Sequence, residues 1–339
     1  MSKTTDEAEQ VVFESDPATG LRSIIVIHDT TLGPALGGVR MWPYASEAAA
    51  LADGLRLARA MTLKAAAAGL GLGGGAAIVI GDPARDKSEA LLLAHGRFIA
   101  TLGGRFIPVN DVGTVQADIE VIGRETAPVC DKGDPSPYTA LGVLASIRAG
   151  LRAAQGSGEL AGATVAVQGA GNVGSHLTRL LRAESAEVVI ADLVDERARD
   201  VAERYGARRM SPQDIVSAHC DVFAPCALGE VVTEETLPRL RCRVIAGGAN
   251  NVLAKPGLAD ALARRGILYA PDFLANAGGL VYLEGRLLGH DDARSSERVE
   301  RVGEIVADVF ERADREHITT VEAATAIAHA RLAAQSLGS

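Results

Sequence analysis

A short apolar run at residues 163–168 ends in G-A-G-N-V-G and passes straight into a helical stretch, and a second strand-like run closes on Asp192. Few segments restrict a fold so tightly. Gly169 permits a tight turn, Gly171 lets backbone approach a phosphate, and Gly174 lets the helix lie close on the strand. Asn172 and Val173 open that helix, whose free N–H groups and positive end suit a pyrophosphate. An acidic side chain about twenty residues on, at the end of the next strand, suits ribose hydroxyls and repels a 2′-phosphate. Asp192 occupies that place. The combination predicts a Rossmann-type unit that takes NAD in preference to NADP, a preference weakened by Arg197 nearby.

The runs DVFAPC, CRVIAGG and ILYAPD follow with helical stretches between them, the rhythm of a parallel, doubly wound sheet. The first half reads differently. Residues 11–44 suggest strands and turns, with Gly33, Pro34, Gly37 and Gly38 as breakers. Ser46 caps a helix whose apolar positions Leu51, Leu55 and Ala58 recur at helical spacing, and residues 88–102 and 105–109 read as a further helix and strand. At 339 residues the chain exceeds what one core usually serves. The expected fold is therefore α/β with two domains. Residues 1–137 form an N-terminal α/β domain, joined by a C-terminal helix at 320–339, and residues 138–319 form the Rossmann domain. The turn GDPSP at 133–137 and the helix after it make the crossing.

A net charge of −9 disfavours nucleic acid and anionic membrane as partners, and no apolar stretch reaches transmembrane length. The N-terminal MSKTTDEAEQ is too acidic for a secretory signal. Cys130, Cys220, Cys226 and Cys242 show no paired spacing, which suggests reduced, buried thiols and no metal site. The expected location is the cytoplasm.

Residues 61–81, MTLKAAAAGLGLGGGAAIVIG, place Lys64 at the end of an apolar helix. A glycine-rich turn (Gly69, Gly71, Gly73, Gly74, Gly75) and a strand from Ala76 to Ile80 follow. Only five of the 34 basic residues are lysines, so a lysine inside an apolar segment suggests a need for a compact ammonium. Read alone, Lys64 is more simply a snorkelling residue that satisfies a helix C-terminus, and only the flanking motif reverses that reading.

These segments, with V-N-D-V-G-T, A-G-G-A-N-N and N-A-G-G, resemble the amino-acid dehydrogenases acting on leucine, valine, phenylalanine and glutamate, the leucine and valine branches most of all. The resemblance runs over residues 23–335. It implies NAD-dependent oxidative deamination of an apolar, branched-chain or aromatic L-amino acid to a 2-oxo acid and ammonia. By that resemblance Lys64 holds the substrate carboxylate, backbone at Gly37 and Gly38 approaches it, and Asp111 manages the amine and the attacking water. Leu36, Met61, Val109, Leu280 and Leu283 would line the side-chain pocket. Thr139, Asn250 and Asn276 would join the glycine motif around the cofactor. A homo-oligomer is implied, and a chain ending soon after its last helix favours a dimer.

One element is missing. The family places its general-base lysine twelve positions after the first, and here that position is Ala76. Asp111 keeps the family spacing of 35 residues from that position, so the lysine is replaced rather than displaced. Three readings follow: a dehydrogenase scaffold whose base has been removed, a non-catalytic binder of NAD and amino acid, or an enzyme of altered chemistry that reduces imines.

Overall fold

The computed structural model describes residues 7–130, 133–227 and 229–338, so the first six residues of the acidic N-terminal stretch and Lys132 lie outside it. The chain divides into two compact units. One comprises the residues up to 133 with 286–288 and those from 328 onward, and the other 134–285 and 289–327.

The first unit opens with strands β1 (Gln10–Asp16), β2 (Leu21–Asp29) and β3 (Ala35–Trp42), followed by α1 (Glu47–Ala67), β4 (Gly73–Ile80), α2 (Glu89–Ala100), β5 (Phe106–Asn110) and α3 (Gln116–Ile122). The strands form one mixed sheet in the order β1-β2-β4-β3-β5, with β3 parallel to both β4 and β5. Ser46 and Ser88 cap α1 and α2 by accepting hydrogen bonds from the Ala49 and Leu91 amides. Central β4 is buried on both faces by strict alternation. Ala76 and Ile78 pack with Ala50 and Ala58 of α1, whereas Ala77 and Val79 pack with Leu91, Leu92 and Phe98 of α2.

Two expectations need correction here. Gly73, Gly74 and Gly75 are not turn residues but the first half of β4, so Ala76 lies in mid-strand rather than at a strand start. Gly37 and Gly38 likewise run inside β3 instead of breaking it. The reason is close approach, not turning: a Cβ on Gly74 would fall onto the Thr62 amide of α1, and one on Gly37 onto the Gly75 carbonyl.

The second unit contains α4 (Ser136–Gln155), β6 (Thr164–Gln168), α5 (Asn172–Ala183), β7 (Glu187–Ala191), α6 (Asp195–Tyr205), β8 (Arg208–Arg209), β9 (Val222–Pro225) and β10 (Val244–Ile245). It continues through α7 (Leu258–Arg264), β11 (Leu268–Tyr269), α8 (Asp272–Ala275), α9 (Gly278–Leu287), α10 (Asp292–Glu300) and α11 (Val302–Glu316). Its sheet is wholly parallel in the order β11-β10-β9-β6-β7-β8. That order reverses between β6 and β9, the place where doubly wound sheets open a crevice for ligand. The last helix, α12 (Thr320–Gly338), has its C-terminal half in the first unit, where Arg331 donates to the Ala66 carbonyl at 3.2 Å.

Candidate active site

In the first unit, the β3–β5 pairing sets Gly38 opposite Val109, and the β3–β4 register sets it beside Ala76. All three point to the α1 face of the sheet. Asp111, one residue past β5, folds its side chain over the space Gly38 leaves: a Cβ there would lie 2.7 Å from the Asp111 Cβ and 2.9 Å from its Oδ2. Ala76 is fully buried beneath α1 beside this gap.

Asp111 is firmly placed. Its amide donates to Thr114 Oγ1 at 3.0 Å, and that hydroxyl donates to the Val39 carbonyl at 2.7 Å. Lys87 closes the same loop from outside, with Nζ 3.2 Å from the Gly113 carbonyl and 2.7 Å from Asp118 Oδ2. Arg40, on β3, sits in a network. Its Nε donates to Asp111 Oδ2 at 3.0 Å and its Nη1 to Asp53 Oδ2 at 2.9 Å. Asp53 also accepts from Tyr44 Oη and Arg56 Nη2, both at 2.5 Å. Burial works against the Arg40 charge, yet Asp111 and Asp53 more than offset it and hold the guanidinium above its ordinary pKa. Burial would likewise raise Asp53, but the Tyr44 and Arg40 hydrogen bonds pull it lower overall. Beyond Arg40 a cavity of about 580 Å³ is lined by Trp42, Tyr44, Arg56 and Val112.

Helix α1 supplies the anchor. Asp53, Leu57, Met61 and Lys64 follow one another at helical spacing along one flank. The Asp53–Arg40 pair fixes that flank over β3. Met61 and Lys64 continue the same flank of α1 toward its C-terminal end. Leu36 shares the α1 face through its two-residue spacing from Gly38. Leu36, Gly38, Ala76 and Val109 thus share the α1 face of the sheet with Asp111 folded over Gly38, while Met61 and Lys64 lie along the flank of α1. Gly37 points to the other face, where its missing side chain serves strand packing.

The cofactor candidates all fall in the second unit, as do Leu280 and Leu283 on α9. Gly169 adopts φ +108°, open only to glycine, and a Cβ on Gly174 would fall onto the Gly169 carbonyl. Gly171 behaves differently: nothing lies within 4 Å of a Cβ built there, and no side chain caps the α5 N-terminus. The turn is thus closed against itself at two glycines and open at the third, which fits a pyrophosphate on the amides around Asn172 and Val173. Asp192 Oδ2 accepts the Ala170 amide at 2.7 Å and Oδ1 the Val194 amide at 2.8 Å, leaving each oxygen a further lone pair toward ribose. Thr139 Oγ1 donates to the Pro135 carbonyl at 3.1 Å and lies where a Cβ on Gly279 would be. Asn276 Nδ2 donates to Asn250 Oδ1 at 2.7 Å, while its buried Oδ1 has no partner among the described residues, an acceptor suited to a carboxamide.

A model of the Glu/Leu/Phe/Val dehydrogenase dimerisation domain matches residues 8–127, and one of the Glutamate/Leucine/Phenylalanine/Valine dehydrogenases matches 134–195 and 190–337. The chain belongs to this dehydrogenase family. Leucine dehydrogenase of Geobacillus stearothermophilus is 47% identical over 335 residues, 97% of this chain and 91% of that one. Valine dehydrogenase of Streptomyces coelicolor is 44% identical, over 96% and 92%. The crystal structure of L-tryptophan dehydrogenase from Nostoc punctiforme superposes with a TM-score of 0.88 at 40% identity, covering 97% of each chain. The sequence reading passed over Tyr44, Asp53 and Lys87, whose pairs Tyr44–Asp53, Arg40–Asp53 and Lys87–Asp118 stand 9, 13 and 31 positions apart, and over Thr114, which reaches the Val39 carbonyl 75 positions back. Among the described residues none forms a potential metal cluster, no helix is long and apolar enough to cross a membrane, and no disulfide forms. Burial raises the thiols of Cys220, Cys226 and Cys242 to about 12, 11 and 11.

Proposed function

We propose that the chain carries the NAD-dependent scaffold for oxidative deamination of an apolar L-amino acid, a branched-chain or aromatic one, in a form lacking its general base. The observation that carries this reading is the row Ala76–Gly38–Asp111 beneath the Lys64 flank of α1. Lys64 would hold the substrate carboxylate and Asp111 the amine and water, while Arg40 and Thr114 keep Asp111 in place. The glycine turn and Asp192 would hold NAD, which supplies the hydride acceptor, with Thr139, Asn250 and Asn276 toward its nicotinamide end. Leu36, Met61 and Val109 of the first unit would set side-chain preference.

Water attack on the iminium and proton movement through the carbinolamine need a base at the reacting nitrogen and oxygen. A methyl group at position 76 moves no proton. The family's first-unit dimerisation role supports a homo-oligomer, and we assign a dimer. The test is titration with NADH and NADPH, then L-leucine with NAD. Saturable NADH binding, weaker NADPH binding and only trace NADH formation are expected. Absent NADH binding, or brisk turnover, would overturn the reading. The non-catalytic alternative draws support from the intact Lys64, Asp111 and glycines around the missing base.

A further inference from the structure

Exchanging an ammonium for a methyl group at position 76 changes what the site attracts as well as what it catalyses. An L-amino acid at neutral pH presents a carboxylate and an ammonium, whereas the 2-oxo acid presents a carboxylate and a carbonyl oxygen. A lysine on β4, one strand spacing of about 4.8 Å from Gly38, would repel the first of these head groups and donate a hydrogen bond to the second. Here that cation is absent and its place is filled by apolar core, with Ile24, Val26 and Ile78 around Ala76. Asp111 remains, with Oδ2 paired to Arg40 and Oδ1 receiving no hydrogen bond from the described residues. With Oδ2 held by Arg40 and no cation at position 76, the remaining acceptor capacity of Asp111 favours an ammonium.

Resting on the site assigned above, we propose that this chain is a receptor for L-amino acids in their ammonium form, held between Lys64 and Asp111 and selected against the matching 2-oxo acids. The ligand class follows from charge alone. Lys64 would answer the carboxylate and Asp111 the ammonium, while Arg40, itself latched by Asp53, holds the Asp111 carboxylate in place. With no base the bound ammonium keeps its proton, so hydride transfer has no free amine to start from and the ligand is retained unchanged.

Calorimetric titration at neutral pH in ammonium-free buffer with saturating NADH tests this, because neither L-leucine nor 4-methyl-2-oxopentanoate can react under those conditions. L-Leucine is expected to bind about tenfold tighter than the oxo acid, the scale set by one unit charge at a strand spacing in a partly solvated site. Ala76→Lys should move the ratio of the two affinities by about tenfold toward the oxo acid. Ala76→Met adds comparable bulk without charge and should leave the ratio in favour of leucine. Asp111→Asn, which can still accept from Arg40, should weaken leucine and spare the oxo acid. Equal or tighter oxo-acid binding by the Ala76 chain, or leucine affinity indifferent to Asp111→Asn, overturns the proposal. Loss of both ligands with NADH binding intact would instead overturn the site assignment beneath it.

Discussion

Ala76→Lys would restore an ammonium to the position on the sheet from which it reaches Asp111 without crossing another side chain. Gly38 puts no side chain between position 76 and the Asp111 carboxylate, which itself folds over Gly38 one strand spacing away. The four-carbon stem of lysine is long enough to bridge it. Partial burial and the cations Lys64 and Arg40 nearby would lower the amine's pKa, giving a base that works at mildly alkaline pH. Loss of a general base typically lowers rate by about 10²–10⁴, or roughly 3–5.5 kcal/mol of barrier. The lysine form should therefore form NADH from L-leucine or L-valine at least about a hundredfold faster than the Ala76 chain. It should also be less stable by about 1–3 kcal/mol, because the buried methyl among Ile24, Val26, Ala58 and Ile78 gives way to a charged chain. NADH absorbance gives the rate and urea denaturation the stability. An inert Ala76→Lys protein that still binds NADH and L-leucine refutes the reasoning, as does substantial turnover without the lysine.

Other outcomes follow from the same geometry. Gly171→Val should leave the melting temperature nearly unchanged, since open space surrounds that position, but weaken NADH by at least about tenfold by displacing the pyrophosphate. Gly174→Ala should destabilise the fold by about 1–3 kcal/mol, read by denaturation, because its Cβ meets the Gly169 carbonyl. Lys87→Met should lower stability by about 1–3 kcal/mol and weaken L-leucine, with Lys87→Arg recovering only part, because the ammonium bridges Gly113 and Asp118. His95 is buried and hydrogen-bonded to Ser23, and burial lowers its folded pKa to about 4 from an ordinary 6.5. The unfolded chain protonates first, so this group leaves stability untouched above pH 6.5 and erodes it as pH falls from there toward 4, by about 3 kcal/mol in all. His95→Gln should flatten that acid limb in urea denaturation followed against pH.

The Rossmann half was legible because each element announces itself locally: an apolar strand, a glycine turn, a helix start, then an acid at the next strand end. The glycines of the first half were harder. Glycine marks a turn and a close backbone approach alike, and only the position of Thr62 on α1 against Gly74 decides that this run is strand. Arg40 gave no sign of its role because its partners stand 13 and 71 positions away; no local pattern carries that information. Ala76 was conspicuous in sequence through the family spacing, yet its burial under α1 could be seen only once helix and sheet were packed.

That burial has an evolutionary consequence. A methyl group sealed into the apolar layer between α1 and β4 makes the fold more cohesive than a lysine threaded through the same place. Once alanine is established, later substitutions in Ala50, Ala58 or Ile78 are selected against a well-filled core, and each tightening makes the return of a long cationic chain harder. If position 76 has lost a base, as proposed above, this packing would act as a ratchet against its return.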